Sequence, residues 1–201
     1  GLGVQARTHR RLSVGHDHLE NYNSVQILTV VTVDRGAEAI TGAAPHGTEN
    51  SMVFQKPRLV VAAMRGGAGK TLISLGLVAA WREYHGLRLV PFKKGPDYID
   101  AGWLAMAAHQ PCYNLDPFLM TPEEMLRSFI QRSLQAEGSL VEGNRGLYDG
   151  VDIHGRFSTA ELAKFLKAPV ILIVDATKVT RTAAAQVLGC LRFDPEVRIA
   201  G

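Results

Sequence analysis

Short apolar runs alternate with helix-like segments along the chain after residue 57. Runs typical of buried parallel strands lie at residues 59–63, 87–92, 139–143 and 168–176. Helical spacing or capping signals follow them, at residues 71–84 and 101–109, from Thr121, from Ser158, and at 179–191. This alternation predicts an α/β fold with an open, mainly parallel sheet and helices on both faces.

The C-terminal and N-terminal parts of the chain lead to separate expectations. The run 168–176 is almost wholly apolar and is expected at the centre of the sheet, and residues 197–201 resemble the opening of a further strand. We therefore expect the domain at 58–201 to be incomplete on its C-terminal side. Residues 1–57 offer one strand candidate, 27–33, and are predicted to be an N-terminal extension of undetermined order.

The first strand runs into a glycine-rich loop that ends in Gly-Lys-Thr. Backbone N–H groups freed by glycine can converge on a phosphate, a lysine adds a cation, and a threonine hydroxyl suits Mg²⁺. The helix that follows points its N-terminal dipole at the same place. The strict P-loop pattern has glycine where this chain has Met64, so the sequence predicts a variant P-loop of the NTPase type, formed by Arg65, Gly66, Gly67, Ala68, Gly69, Lys70 and Thr71.

Two further loops contain residues that are suited to binding or catalysis. After the second strand, Lys93 and Lys94 can meet an anionic substrate, Asp97 and Asp100 can hold Mg²⁺ or orient a nucleophile, and Tyr98 offers a stacking face. A solvated turn is the alternative for this loop.

The other loop follows the third strand. Glu142 lies at a strand's carboxyl end, where nucleotide-binding sheets place a magnesium ligand. Arg145 can stabilise a transferring phosphoryl group, and Asp149 can bind metal or position an amine. Because the carboxyl ends of parallel strands share one edge, all three loops are expected to form one cleft.

The composition of the chain limits the classes of molecule that it is expected to bind. The net charge is +3, and residues 1–57 hold five basic and five acidic residues, so the excess lies in the part with the phosphate loop. That distribution favours small anionic ligands over nucleic acid. No apolar run reaches the ~20 residues of a membrane span and no signal-peptide pattern is present, so a cytoplasmic protein without a membrane partner is expected. Neither Cys112 nor Cys190 has a partner at metal-ligand spacing.

Six motifs in order resemble cobyrinate a,c-diamide synthases over residues 58–201. They are RGGAGKT, PFKKGPDYID, NLDPF, VEGNRGLYDG, STAELAKFLKAPV and DATKVTRTAAA. The resemblance implies a fold related to dethiobiotin synthetase and a carbon–nitrogen ligase that uses ATP and Mg²⁺ to amidate the a and c carboxylates of a corrin precursor in cobalamin biosynthesis. It implies an acyl-phosphate intermediate, which ammonia then converts to the amide.

The resemblance also assigns roles to residues. It makes the glycines of the loop, Lys70 and Thr71 the ATP and magnesium site, Glu142 a magnesium ligand, and Asp97, Tyr98, Asp100 and Asp149 residues of substrate and metal handling. Lys70, Asp97, Asp100 and Asp149 are the catalytic candidates, Thr71, Asp97 and Glu142 the metal candidates, and Lys93, Lys94, Tyr98 and Arg145 the substrate candidates. The tetrapyrrole polycarboxylate is the expected partner, and a homodimer is left open.

One family feature is missing and two alternatives stay open. Family members continue into a glutaminase domain that releases ammonia from glutamine, and no motif of that domain occurs here, so this chain is expected to need ammonia from elsewhere. The motifs do not distinguish cobyrinate from nickel-sirohydrochlorin as substrate. A different class, the dimerising ATPase switch of partition and cell-division proteins, is suggested by RGGAGKT, in which Arg65 takes the place of their signature lysine.

Overall fold

A five-stranded sheet organises the protein, of which the computed structural model describes residues 40–42 and 52–201. The strands are β1 (Ile40–Gly42), β2 (Met52–Phe54), β3 (Arg58–Ala63), β4 (Leu89–Lys94), β5 (Tyr113–Leu115), β6 (Gly138–Glu142) and β7 (Val170–Ile173). The helices are α1 (Lys70–His85), α2 (Ile99–Ala108), α3 (Pro122–Ser133), α4 (Thr159–Phe165) and α5 (Arg181–Phe193).

The sheet has the order β5-β4-β6-β3-β7, and every pair within it is parallel. Parallel neighbours require crossover connections, and helices supply them. The strand ends after β3, β4 and β6 consequently lie on one edge of the sheet, side by side. The predicted α/β architecture is confirmed.

Alternate side chains of the strands face two separate apolar layers. On one side, Val61 of β3 packs in a cluster with Val78 of α1 and Ala108 of α2. On the other side, Val60 and its neighbours pack with residues of α3 and α4. Because strand side chains alternate with a period of two, one strand serves both layers, and the helices cover both faces as predicted.

Two strand predictions need correction. β7 is the last strand in the sheet order rather than a central one. Its outer edge pairs in parallel with the end of the chain, where Val170 donates to the Arg198 carbonyl at 2.8 Å and Ala200 donates to the Val170 carbonyl at 2.8 Å. A run buried by helices is apolar wherever it stands in the sheet, so hydropathy did not fix its place.

The second correction concerns the end of β4. Lys93 and Lys94 were assigned to a loop, but they are the last two residues of the strand, and both are buried. Lys93 pairs with Asn114 on one side and with Glu142 on the other. The short strand β5, which was read as loop, extends the pairing and so carries the strand two residues further.

Local signals place the helix ends well. The Thr121 hydroxyl accepts from the Glu124 N–H and the Glu124 carboxylate accepts from the Thr121 N–H, which is a complete capping box with Pro122 at the first position. The Ser158 hydroxyl caps α4 by accepting from the Glu161 N–H at 3.3 Å.

Part of the segment before residue 58 contacts the domain. β1 and β2 form an antiparallel pair, and the buried Phe54 packs edge-on against Phe129 of α3 with ring centroids 5.7 Å apart. The strand candidate at 27–33 lies outside the described residues. Among the described helices, none combines the length and the apolarity that crossing a bilayer requires.

Candidate functional site

The glycine-rich loop connects β3 to α1 at the carboxyl edge of the sheet. Gly67 and Gly69 adopt positive φ angles of 71° and 93°, and α1 begins directly after them at Lys70. A Cβ atom built on Gly66, Gly67 or Gly69 would meet no atom within 4 Å. The loop is therefore an open turn at a helix N-terminus, where an anion can approach the backbone N–H groups.

Lys70 is buried beside this turn and donates to backbone carbonyls. Its Nζ lies 2.8 Å from the carbonyl oxygen of Arg145 and 3.4 Å from that of Arg65. Burial, and after it the neighbouring Lys93 ammonium, lowers the pKa of Lys70. Contact with Arg145, 75 residues away in sequence, shows that the P-loop and the loop after β6 lie together, as the sequence predicted.

Thr71, Asp100 and Glu142 meet next to Lys70. The Thr71 hydroxyl donates to Glu142 Oε1 at 2.8 Å and lies 3.3 Å from Asp100 Oδ2. Glu142 is fully buried, and its second oxygen, Oε2, has no hydrogen-bond partner among the described residues. A buried carboxylate oxygen without a partner is costly unless a cation or a proton donor completes it.

Lys93 inserts its ammonium between the same carboxylates. Its Nζ lies 2.7 Å from Asp100 Oδ2, 2.7 Å from Glu142 Oε1 and 3.7 Å from Asp97 Oδ2. Burial opposes the charge, but hydrogen bonds to Asp100 and Glu142 outweigh it and raise the pKa of Lys93. The same contact lowers the pKa of Asp100 against the opposing effect of its own burial.

The residues between β4 and α2 have mixed roles. Asp97 Oδ1 accepts from the N–H groups of Ile99 and Asp100 at 3.0 and 3.1 Å, so one of its oxygens holds the start of α2. Its other oxygen faces Lys93. Tyr98 is 80% exposed, so its ring is free to meet a ligand from solution.

Lys94 lies on the opposite side of β4 from Lys93, as the alternation of strand side chains requires. Its Nζ donates to Asn144 Oδ1 at 2.7 Å, and the residue is only 5% exposed. Burial lowers the pKa of Lys94 to about 8, because Asp116 offsets it only in part and Arg145 and Lys93 add to it. Asn144 was not recognised from the sequence, although its place between Glu142 and Arg145 was a signal.

The loop after β6 presses against the P-loop backbone. Leu147 donates to the Ala63 carbonyl at 2.7 Å, and a Cβ on Gly146 would lie 2.7 Å from the Met64 carbonyl oxygen. Arg145 is exposed and has a positive φ of 49°, which is uncommon outside glycine. Asp149 accepts the Gly146 N–H at 3.0 Å, so it holds the turn and does not contact the Lys93 cluster directly.

A second residue that the sequence did not single out for the site is Asp175, at the end of β7. Its carboxylate forms an ion pair with the guanidinium of Arg65 in the P-loop. Hydrogen bonds from Thr177, and after them Arg65, lower the pKa of Asp175. Arg65 is thus bound by a partner within the same chain.

The donor set suits a magnesium ion better than a metal that needs an all-protein cage. No group of three or more His, Cys, Asp and Glu side chains placed to hold a metal occurs among residues 40–42 and 52–201. Two carboxylates and a threonine hydroxyl beside a phosphate loop are what Mg²⁺ uses when phosphate oxygens and water supply the other positions. The unpartnered Glu142 Oε2 fits such an ion.

Neither cysteine is placed as an activated nucleophile. Cys112 and Cys190 are free and half-buried, and burial raises the pKa of Cys112 to about 12 and raises that of Cys190 as well. A thiolate, rather than a thiol, is the reactive form.

The known proteins that are similar to this chain in sequence share one kind of name. A cobyrinate a,c-diamide synthase of Magnetococcus marinus is 45% identical over 150 residues, which cover 75% of this chain and 32% of that protein. A hydrogenobyrinate a,c-diamide synthase of Streptomyces coelicolor is 47% identical over 146 residues, or 72% of this chain and 30% of that protein. A cobyrinate a,c-diamide synthase of Archaeoglobus fulgidus is 40% identical over 146 residues, with coverage of 72% and 32%.

These matches cover most of the present chain but a smaller share of its relatives. The chain spans about a third of the length of the curated relatives that it matches, 30–32% in these three cases. No protein-family model matches it. With identities of 40–47% over roughly three quarters of its residues, the chain belongs to the cobyrinate a,c-diamide synthase family.

Proposed function

We propose that this chain is the ATP-dependent amidating part of an a,c-diamide synthase that acts on cobyrinate or hydrogenobyrinate. The observation that carries the proposal is the convergence of the P-loop Lys70 and Thr71 with Glu142, Asp100 and Lys93 at one strand edge. The names of the relatives supply the substrate class.

The P-loop is proposed to hold the phosphates of ATP. The open turn formed by residues 65–69 supplies backbone N–H groups, and Lys70 supplies a cation. Lys70 must turn from the Arg145 carbonyl toward the ligand, which a four-carbon side chain allows.

Thr71, Glu142 and Asp100 are proposed to hold Mg²⁺, which would neutralise phosphate charge as it develops. Asp100 is better placed than Asp97 for this role, because one oxygen of Asp97 is already used at the start of α2.

The reaction would proceed in two balanced steps for each carboxylate. An oxygen of the substrate carboxylate attacks the γ-phosphorus of ATP, a P–O bond forms, and ADP leaves. Ammonia then attacks the carbonyl carbon, loses a proton, and expels inorganic phosphate that carries the oxygen of the carboxylate. Lys93, Lys94 and Arg145 are proposed to offset the charge of the two anions that the reaction brings together. Tyr98 is proposed to pack against the tetrapyrrole ring. Asp149 is proposed to hold its own loop by accepting the Gly146 N–H.

Two other functions are weighed against this one. A partition-type ATPase switch has a signature lysine where this chain has Arg65, and the Arg65 guanidinium is paired with Asp175 of the same chain. Nickel-sirohydrochlorin is the other substrate to test, because the sequence motifs do not distinguish it from cobyrinate.

The test is an amidation assay with the 201-residue chain, ATP, Mg²⁺, ammonium chloride and each of the three tetrapyrroles. We expect mass spectrometry to show one oxygen replaced by one NH group at each of two carboxyl groups of cobyrinate or hydrogenobyrinate, and one phosphate released for each amide. Substrate labelled with ¹⁸O in its carboxylates should transfer one ¹⁸O to each phosphate. Amidation without that transfer would refute the acyl phosphate.

Matched lysine variants separate the site from the fold. Lys70→Ala should abolish amidation while the circular dichroism spectrum stays unchanged. Lys56→Ala, at the opposite end of β3, removes a lysine whose Nζ donates to the Ala136 carbonyl, and it should retain activity. Retained turnover in Lys70→Ala would overturn the proposed nucleotide site. We propose that a glutaminase domain supplies the ammonia in the cell.

A further inference from the structure

Lys93 contacts both carboxylates that are proposed to hold the magnesium ion. Its ammonium is 2.7 Å from Glu142 Oε1 and 2.7 Å from Asp100 Oδ2, and its side chain is only 3% exposed. The Thr71 hydroxyl, the third member of the proposed metal set, donates to the same Glu142 oxygen. The lysine is thus at the centre of the donor set rather than at its rim.

A metal ion at these two carboxylates and the Lys93 ammonium would repel each other. A divalent ion bound to Glu142 and Asp100 would stand next to the Lys93 ammonium in a buried site where water screens their repulsion weakly. The Lys93 ammonium therefore has to leave its present position when a metal ion binds Glu142 and Asp100.

Asp97 offers the displaced ammonium another place. Its Oδ2 atom is 3.7 Å from Lys93 Nζ, and its side chain is 41% exposed. Its Oδ1 atom is held by the N–H groups of Ile99 and Asp100, so the carboxylate is fixed in position. A shift of one or two ångströms, well within the range of a lysine side chain, would bring Nζ onto Asp97.

We propose that Lys93 is a built-in competitor for the metal site, and that a divalent ion binds Glu142 and Asp100 by moving the Lys93 ammonium onto Asp97. The inference rests on the metal site of the proposed function, but it concerns metal and protein alone. Asp97 then acts through Lys93 as a positioning residue and not as a metal ligand. Metal loading and the release of a cation into the cleft become one event.

The test measures Mn²⁺ affinity by electron paramagnetic resonance on the 201-residue chain without nucleotide or tetrapyrrole. Lys93→Met removes the competitor, so the affinity should rise by about tenfold or more, where each tenfold is about 1.4 kcal/mol. Lys94→Met removes the same charge from the other face of the strand and should change the affinity little. Equal or weaker Mn²⁺ binding by Lys93→Met would overturn the proposal.

A double-mutant cycle tests the part played by Asp97. Asp97→Asn should weaken Mn²⁺ binding when Lys93 is present and should have no effect in the Lys93→Met background. An equal loss in both backgrounds would make Asp97 a metal ligand and refute its role as acceptor.

Wild-type protein gives a second readout that does not depend on a variant's folding. Mn²⁺ should raise the extent to which a small, amine-reactive acetylating reagent modifies Lys93, measured by peptide mass spectrometry, because Nζ moves toward an exposed carboxylate. Unchanged labelling of Lys93 would contradict the displacement. These outcomes are independent of whether the chain amidates any tetrapyrrole, so failure of the proposed reaction is distinguishable.

Discussion

Lys94→Met should stabilise the protein at neutral pH, although it removes a hydrogen bond. Lys94 is a buried residue, with 5% of its surface exposed, and the partner of its ammonium is the Asn144 amide rather than a carboxylate. Burial lowers the pKa of Lys94 from its ordinary 10.5 to about 8. The folded state therefore holds this proton less tightly than the unfolded chain does.

The sign and size of the effect follow from linkage. Between pH 8 and 10.5 the unfolded chain binds more protons at this lysine, so the wild-type free energy of unfolding rises with pH across that window. Below about pH 8 the buried charge costs the folded state on the order of 3 kcal/mol. Loss of the hydrogen bond to Asn144 costs about 1 kcal/mol. Lys94→Met should therefore be more stable than wild type by about 2 kcal/mol at pH 7.

Urea unfolding at several pH values between 7 and 10 measures the difference between the two proteins, in which other titrating groups cancel. The advantage of Lys94→Met should shrink as pH rises and should reverse near pH 10. A control is Lys164→Met, which removes a lysine in ion pairs with Asp194 and Glu161 and should destabilise the protein slightly at pH 7. A pH-independent loss of stability in Lys94→Met would refute the reasoning.

Three further predictions concern the fold around the site. Phe129→Ala should lower the free energy of unfolding by about 4 kcal/mol, because this fully buried ring packs on two other phenylalanines, and urea unfolding measures it. Gly146→Ala should cost about 1–3 kcal/mol, since its Cβ would lie 2.7 Å from the Met64 carbonyl oxygen. Its matched control, Gly102→Ala in the exposed part of α2, should instead raise the melting temperature through a gain of about 1 kcal/mol. Thr121→Ala, which removes a capping box, should cost about 1 kcal/mol by the same denaturant measurement, and no loss would contradict the capping role.

Local signals carried the prediction of most elements. Apolar runs located the strands β3, β4, β6 and β7, and the capping residue Thr121 located the start of α3, because these features act over a few residues. The prediction that the three loops come together is also confirmed, since it needs only the rule that parallel strands end on one edge.

Pairing partners were beyond the reach of such signals. The place of β7 in the sheet and the existence of β5 depend on which strands lie side by side, and a buried edge strand has the same hydropathy as a central one. The end of β4 is another case, because Lys93 and Lys94 count as strand only when β5 and β6 pair with them.

The sequence by itself determined the alternation of strands and helices, the glycine-rich loop and the set of charged residues around it, because spacing and residue type suffice for these. Only the tertiary structure decided how the charges are matched. It placed Lys93 between Glu142 and Asp100, buried Lys94 with Asn144 on the other face, and paired Arg65 with Asp175. Electrostatic energies depend on the distance between charges and on their burial, and the order of residues along the chain does not give either quantity.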